Sequence, residues 1–296
     1  MKAAPFNYHL AQDLAHAKEL LHEFGDDVKI IAGGQSLVPM MAMRLAKPAN
    51  LIDIARLPEL QNIQITEDKV TIGAGVKQSA LEKHLASQKA PLLQAVIPWI
   101  GHQQTRNRGT VGGSLAHADP SAELPLIALI LKASIHCESK QDGSRKISAE
   151  DFFQGPMWTS LQANECLTQI DWPLWSGTFI GYDFEEIAIR QGDFAMASAA
   201  SQIQVDHDGK VLKWNCGVGG MGGTPYQFDQ LTNQFLGQTL SKEKIIDFSS
   251  QAIALTDPTS DLHASSSYRK HLAKALLSRT IEKSLLMAQS NTKPNR

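Results

Sequence analysis

The 296-residue chain is poor in cysteine: it has three, Cys137, Cys166 and Cys216, far apart and without C-x-x-C spacing. An odd, scattered set does not build a disulfide framework and fits a reducing cytoplasm. It also argues against an iron–sulfur cluster, which usually takes four thiolates in tight groups. Any redox chemistry here must therefore use an organic cofactor. Long apolar runs are missing too; none approaches the roughly 18–20 residues that span a bilayer. The opening MKAAPFNYHLAQDLAH has no apolar core of a signal peptide. The expectation is a cytoplasmic protein with no membrane span. A net charge of −2 supplies no field for nucleic acid or an anionic membrane. No repeat of fixed period and no low-complexity tract is present. What remains is ordinary globular composition, 43% hydrophobic and 20% charged, long enough for two or three domains.

The pattern along the chain is mixed α and β. Leu10, Leu14, Ala17, Leu21 and Phe24 recur at helical spacing before Gly25. VKIIAGG then reads as a buried strand entering a glycine turn, and LIDIARL as a second strand. NIQIT-EDK-VTIGAGV alternates about a polar turn, a hairpin signature. Helical stretches are expected around Ser79–Ala86 and Leu92–Ile100, and LPLIALILKASIHCES as helix passing into strand. A change of pattern falls near Trp175–Gly177. Strands follow, with a D-G turn at Asp208–Gly209, and then helices from LTNQFLGQTL through YRKHLAKALLSRTIEKSLLMA. The tail QSNTKPNR is expected to be disordered.

Two glycine-rich segments carry the chemistry. In IIAGGQSLVP, Gly33 and Gly34 follow an apolar strand and remove the side chains that would keep a ligand from the backbone. Successive N–H groups there can form an anion-binding hollow, with Gln35 and Ser36 adding polar side chains. The alternative is a plain strand-to-helix turn. The segment is neither G-x-G-x-x-G nor a Walker loop. Thr110-Val111-Gly112-Gly113-Ser114 repeats the device after Arg106 and Arg108, which either touch phosphate or brace the loop. Asp119 and Glu123 in HADPSAELP can accept hydrogen bonds from sugar hydroxyls, and His117 is either a ligand contact or satisfied within the loop. Two such cradles suit one long cofactor with a diphosphate.

AGGQSLVPMMAMRLAKP (Ala32–Pro48) and TRNRGTVGGSLAHADPSAELP (Thr105–Pro125) resemble the FAD-binding medium subunit of the molybdenum hydroxylases, the carbon monoxide dehydrogenase and xanthine dehydrogenase family. RQGDFAMA (Arg190–Ala197) and DPTSDLHASSSYRKHLAKALLSR (Asp257–Arg279) resemble two further signatures of that family, in the same order. The resemblance implies an α+β fold: a two-subdomain FAD-binding fold of the vanillyl-alcohol oxidase (PCMH) type, then an antiparallel sheet plus helical bundle. The expected domains are 1–176 for FAD, with subdomains about 1–57 and 58–176, then 177–290 as the C-terminal domain of the CO dehydrogenase flavoprotein type, and a disordered tail at 291–296.

Carried onto this chain, the resemblance makes Ile30, Ile31, Ala32, Gly33, Gly34, Gln35, Ser36 and Leu37 the first diphosphate loop. Thr110, Val111, Gly112, Gly113 and Ser114 are the second, with His117 and Asp119 beside it. Ile100 and Gly101 fall where the family approaches the flavin, Glu123 where an acidic residue contacts the sugar–adenine end, and Leu167 where an aliphatic side chain packs on the isoalloxazine. One departure is the stretch FEEIAIR, where Glu185 and Glu186 stand in a region in which some relatives carry a lysine. The implied function is an oxidoreductase subunit holding non-covalent FAD, with no catalytic side chain and no metal of its own. It passes electrons from [2Fe–2S] clusters of a small partner subunit to an external acceptor, while a large subunit holds molybdopterin. The expected assembly is a dimer of heterotrimers. The alternatives are a stand-alone flavin oxidase or reductase, with His102 or Cys137 as conceivable attachment residues, and a non-catalytic assembly subunit.

Overall fold

The computed structural model describes residues 2–84 and 89–290. The chain forms two compact units that alternate along the sequence. The first comprises Met1–Lys89, His102–Ala118 and Lys132–Pro173; the second comprises Ala90–Gly101, Asp119–Leu131 and Leu174–Arg296.

In the first unit, three parallel strands form one sheet, with Asn50–Asp53 between Asn7–Leu10 and Val28–Ile31. The helix Leu14–Phe24 begins where the Asp13 carboxylate accepts from the His16 amide at 2.7 Å. Ala17, Leu20 and Leu21 of that helix pack against Val28, Ile52 and Ile54. Leu10 was expected on the helix; it closes the first strand instead, paired with Asp53, because the helix starts only at the Asp13 cap.

A second sheet of five antiparallel strands runs in the order Ile63–Ile65, Lys69–Gly73, Cys166–Pro173, Ser134–Ser139, Gly143–Ser148. Its first two members are the expected hairpin. Its central strand, Cys166–Pro173, has residues of both faces buried, so it carries no alternation to read. The helix expected at Ser79–Ala86 is Gln78–Lys83, and the last residues of that expectation lie outside the described ones.

The second unit is built on four antiparallel strands in the order Ile180–Ile187, Ala197–Val205, Val211–Gly219, Tyr226–Gln227. The helices Lys242–Ala254 and Ser266–Ser290 contribute to a core in which Phe248 stacks on Trp214 with ring centroids 4.4 Å apart. The helix Glu123–Ile130 is buried along its whole length. Leu126 covers Gly217 and Gly219, and the Asn215 side chain donates to the Ile130 carbonyl at 2.7 Å. The expected helix over LTNQFLGQTL is confined to Asp229–Thr232 and a 3-10 turn at Asn233–Phe235, since Gly237 turns the chain at φ 75°. Likewise Leu92–Ile100 is the helix Pro91–Val96 followed by a 3-10 turn, Ile97–Trp99. Gln289 and Ser290, expected in a disordered tail, end the last helix; 291–296 lie outside the described residues.

Candidate functional site

The first glycine segment leaves the strand Val28–Ile31 and enters the helix Leu37–Ala42. Gly34 adopts φ 71°, a left-handed conformation that a side chain disfavours. The Gln35 side chain folds back and donates to the Gly33 carbonyl at 3.0 Å, which orders the turn. Ser36 precedes the helix without using its hydroxyl as a cap. Among the described hydrogen bonds, none is donated by the backbone N–H of Gly33, Gly34, Gln35 or Ser36. Four neighbouring donors in a half-buried turn are the equipment of an anion hollow. Ile30, Ile31 and Leu37 flank them, half-buried.

The second segment differs from its reading as a loop. Thr110 is the N-cap of a helix, Val111–His117, and its hydroxyl accepts from the Gly113 amide at 3.0 Å. Val111 N–H donates to Val76 at 3.0 Å, Gly112 N–H to Ala74 at 2.9 Å and Ser114 N–H to Thr110 at 3.1 Å. These amides already have protein acceptors. What the segment presents is the exposed backbone of Gly113, the side chain of Ser114 and the start of a helix. Gly112 is a glycine because Ala74 lies against it: a β-carbon there would be 2.7 Å from Ala74 Cα.

Both segments belong to the first unit and touch. A β-carbon on Gly33 would strike the Arg108 carbonyl and lie 2.8 Å from Gly109 Cα. Lys77 reinforces the junction by donating its ammonium to the Arg108 carbonyl at 3.0 Å, while Gln78 N–H donates to Gly109 at 3.0 Å. Burial holds the Lys77 ammonium below its usual range; the nearby Asp53 carboxylate opposes that effect and the Arg108 guanidinium adds to it. Two adjacent cations at the foot of an amide hollow suit a diphosphate. Lys77 was not among the residues expected from sequence, and a single lysine after GAGV offers little to read. Arg106 is a brace: it is buried and bonds Gln103 at 2.9 Å and Glu82 at 3.4 Å.

Leu167 is buried in the first unit, beside an irregularity in strand pairing between Leu167 and Gln169. The neighbouring Thr168 carbonyl accepts from Ala74 N–H at 2.8 Å, and Ala74 in turn accepts from Gly112. A continuous backbone chain thus ties Leu167's strand to the helix that starts at Thr110. His117, half-buried, ends that helix. Cys137 is fully buried, and burial pushes its thiol up to about 12, so it offers no attachment point; His102 is exposed.

The remaining expected residues, Ile100, Gly101, Asp119 and Glu123, belong to the second unit. Ile100 is buried, and Gly101 follows at φ 47°. Asp119 accepts from Ser121 N–H at 2.9 Å. Glu123 opens the buried helix, and desolvation pushes its carboxyl up to about 7, with Asp119 adding repulsion. Glu186 is pushed up to about 8 by burial and by Glu123. Glu185 is instead paired with Arg279 and Lys283. Among the described residues no group of three or more His, Cys, Asp and Glu is arranged to hold a metal ion. No helix among them is long and apolar enough to cross a membrane.

The family described as the FAD binding domain in molybdopterin dehydrogenase matches residues 4–175, and the CO dehydrogenase flavoprotein C-terminal domain matches 182–284. The 6-hydroxypseudooxynicotine dehydrogenase complex subunit alpha of Paenarthrobacter nicotinovorans is 38% identical, over 98% of this chain and 97% of its own. Among solved structures, carbon monoxide dehydrogenase from Hydrogenophaga pseudoflava superposes with a TM-score of 0.93 at 31% identity, covering 97% of this chain and 99% of that one. Quinoline 2-oxidoreductase from Pseudomonas putida 86 gives 0.92 at 32%, covering 98% and 100%. With an amide hollow of the kind a diphosphate needs, and with both family domains in order along its length, the chain belongs to the FAD-binding flavoprotein subunits of the molybdenum hydroxylases, an oxidoreductase family.

Proposed function

We propose that this chain is the electron-transfer subunit of a multi-subunit molybdenum hydroxylase, taking electrons from [2Fe–2S] clusters of a partner subunit and passing them through FAD to an external acceptor. Residues 1–176 hold the cofactor and 177–290 form the C-terminal domain. The partners are a large molybdopterin subunit and a small iron–sulfur subunit, assembled as a dimer of heterotrimers in the cytoplasm. The observation that carries this reading is the turn Gly33–Ser36, whose four N–H donors have no acceptor among the described residues and whose back is fixed against Arg108–Gly109.

Bound FAD exchanges electrons singly or in pairs, which suits a junction between one-electron and two-electron carriers. The protein's own part is binding and orientation. Gly33, Gly34, Gln35 and Ser36 donate N–H groups to the diphosphate, and Lys77 and Arg108 balance its charge. Ser114 and the exposed backbone of Gly113 close the other side. By the family resemblance, Glu123 would accept from the sugar–adenine end, and Ile100, Gly101 and Leu167 would fall at the flavin ring. His117 and Asp119 line the approach. No side chain of this chain acts as a general acid or base.

The test is direct. Purified alone, the chain should retain FAD through dialysis, shown by its visible spectrum, and oxidise no organic substrate. Substrate-dependent turnover by the metal-free polypeptide overturns the subunit reading in favour of a stand-alone flavin enzyme. A colourless, well-folded protein that takes up no added FAD overturns the cofactor assignment.

A further inference from the structure

The strand Ile180–Ile187 lies at the outer edge of the second unit's sheet, paired along one side with Ala197–Val205. A cavity of about 410 Å³ opens along it, a volume within the range of small-molecule sites. Strand alternation gives this cavity two different walls. Phe184 and Glu186 share one face with the segment that carries Trp99, and the Trp99 ring meets Phe184 edge-on, centroids 5.8 Å apart. Asp183 and Glu185 share the other face with Arg279 and Lys283 of the long helix.

Three carboxyls and two cations line this cavity. Glu185 takes both cations: Arg279 Nη2 lies 2.5 Å from one carboxylate oxygen and Lys283 pairs with the other. Asp183 is left with Lys283 at 3.8 Å, too far for a hydrogen bond, and its Oδ2 is buried without one. Glu186 Oε2 is also buried without a hydrogen-bond partner. Burial raises both acids, Asp183 to about 6 and Glu186 to about 8, the response of carboxyls that lack a sufficient counter-charge. Trp99, 37% exposed, offers an aromatic surface at the same opening.

We propose that this edge cavity is a binding site for a small organic cation, an amidinium, guanidinium or protonated amine carried on an apolar or aromatic body. The cationic head takes up the hydrogen-bonding capacity of Glu186, and the body packs on Trp99 and Phe184 of the same wall, where a positive group also gains from the ring face. Arg279 and Lys283 stay on Glu185, so the site selects against anions. It does not depend on the flavin assignment.

Three probes of one shape separate charge from fit: benzamidine, neutral benzamide and anionic benzoate, titrated calorimetrically into the purified full chain at pH 9, where Glu186 is ionised. Benzamidine should bind saturably, and benzamide at least about tenfold more weakly. Benzoate should not compete. Glu186→Gln should erase most of that preference and Asp183→Asn, on the opposite wall, little of it, while Trp99→Leu should weaken all aromatic binding. Circular dichroism confirms that each variant is folded. Equal binding of benzamide and benzamidine overturns the proposal. So does a full preference surviving in Glu186→Gln, or no benzamidine binding at about 10 mM.

Discussion

Gly33 and Gly109 meet backbone to backbone, 76 residues apart in the chain, with 2.8 Å between Gly109 Cα and the place a β-carbon on Gly33 would occupy. The glycine therefore serves the junction of two segments as well as any ligand. Gly33→Ala should force those segments apart, at about 1–3 kcal/mol of stability for an overpacked site. The variant should unfold at lower urea and lose FAD on dialysis. Gly113→Ala differs: its β-carbon would meet the Thr110 hydroxyl at 2.7 Å and is otherwise open. It should lose less stability than Gly33→Ala while still weakening flavin retention. A Gly33→Ala protein as stable and as yellow as the parent would refute the junction.

Thr110 is a cap, and removing its acceptor should cost about 1 kcal/mol. Thr110→Val keeps the volume and loses the bond to Gly113, whereas Thr110→Ser keeps the bond. Urea midpoints should therefore rank parent and serine variant together, with valine below.

Much of this was legible in the residues, for identifiable reasons. AGGQS marked a backbone turn because two glycines after an apolar strand permit positive φ, but a ligand hollow and a plain strand-to-helix turn read alike there. The four family segments fixed the fold by their order. The helix starting at Thr110 was hidden because Gly112 and Gly113 read as loop, while tertiary contacts with Ala74 make it helical. The strand Cys166–Pro173 was hidden by burial of both faces. Lys77 and the meeting of Gly33 with Gly109 depend on chain-distant partners, which no local pattern encodes.

Glu186 gives a pH signature. Its carboxyl is raised from the usual 4.5 to about 8, so above pH 4.5 the folded protein binds more protons than the unfolded chain. Its contribution is fully present below pH 4.5 and is lost as pH rises toward about 8. Glu186→Gln, neutral at every pH, should flatten that decline and stabilise the apoprotein above pH 8 by on the order of 1–3 kcal/mol. Urea titrations at pH 6 and pH 9 decide it; equal differences at both show that Glu186 does not titrate in this range.

Arg269 explains the C-terminal signature. It is buried and donates to the Met196 carbonyl at 2.6 Å, the Gly220 carbonyl at 3.3 Å and the Asp261 carboxylate at 2.6 Å. One guanidinium thus ties the end of RQGDFAMA to the loop before the last helix. Arg269→Ala strands the Met196 carbonyl and should cost about 2–4 kcal/mol. Lysine lacks the fork to reach both partners and should recover only part of the loss. Full recovery by lysine in thermal melts would show that charge alone matters.

Glu123 offers the sharpest test of the proposed cofactor contacts. Its carboxyl titrates at about 7 because burial disfavours the ion. The ionised form accepts hydrogen bonds from sugar hydroxyls more strongly than the protonated form or an amide. Glu123→Gln should therefore resemble the parent near pH 6, where the parent carboxyl is mostly neutral. At pH 8.5 the parent is ionised, and the variant should bind FAD about tenfold more weakly, or roughly 1.4 kcal/mol. A role confined to the start of the helix Glu123–Ile130 predicts otherwise: flavin affinity would stay level while apoprotein stability shifted by about 0.3–1 kcal/mol. Titrating FAD into both apoproteins at the two pH values separates these cases. An affinity ratio near one at pH 8.5 removes Glu123 from the cofactor contacts, whereas a ratio that opens only above pH 7 ties the contact to its ionised form.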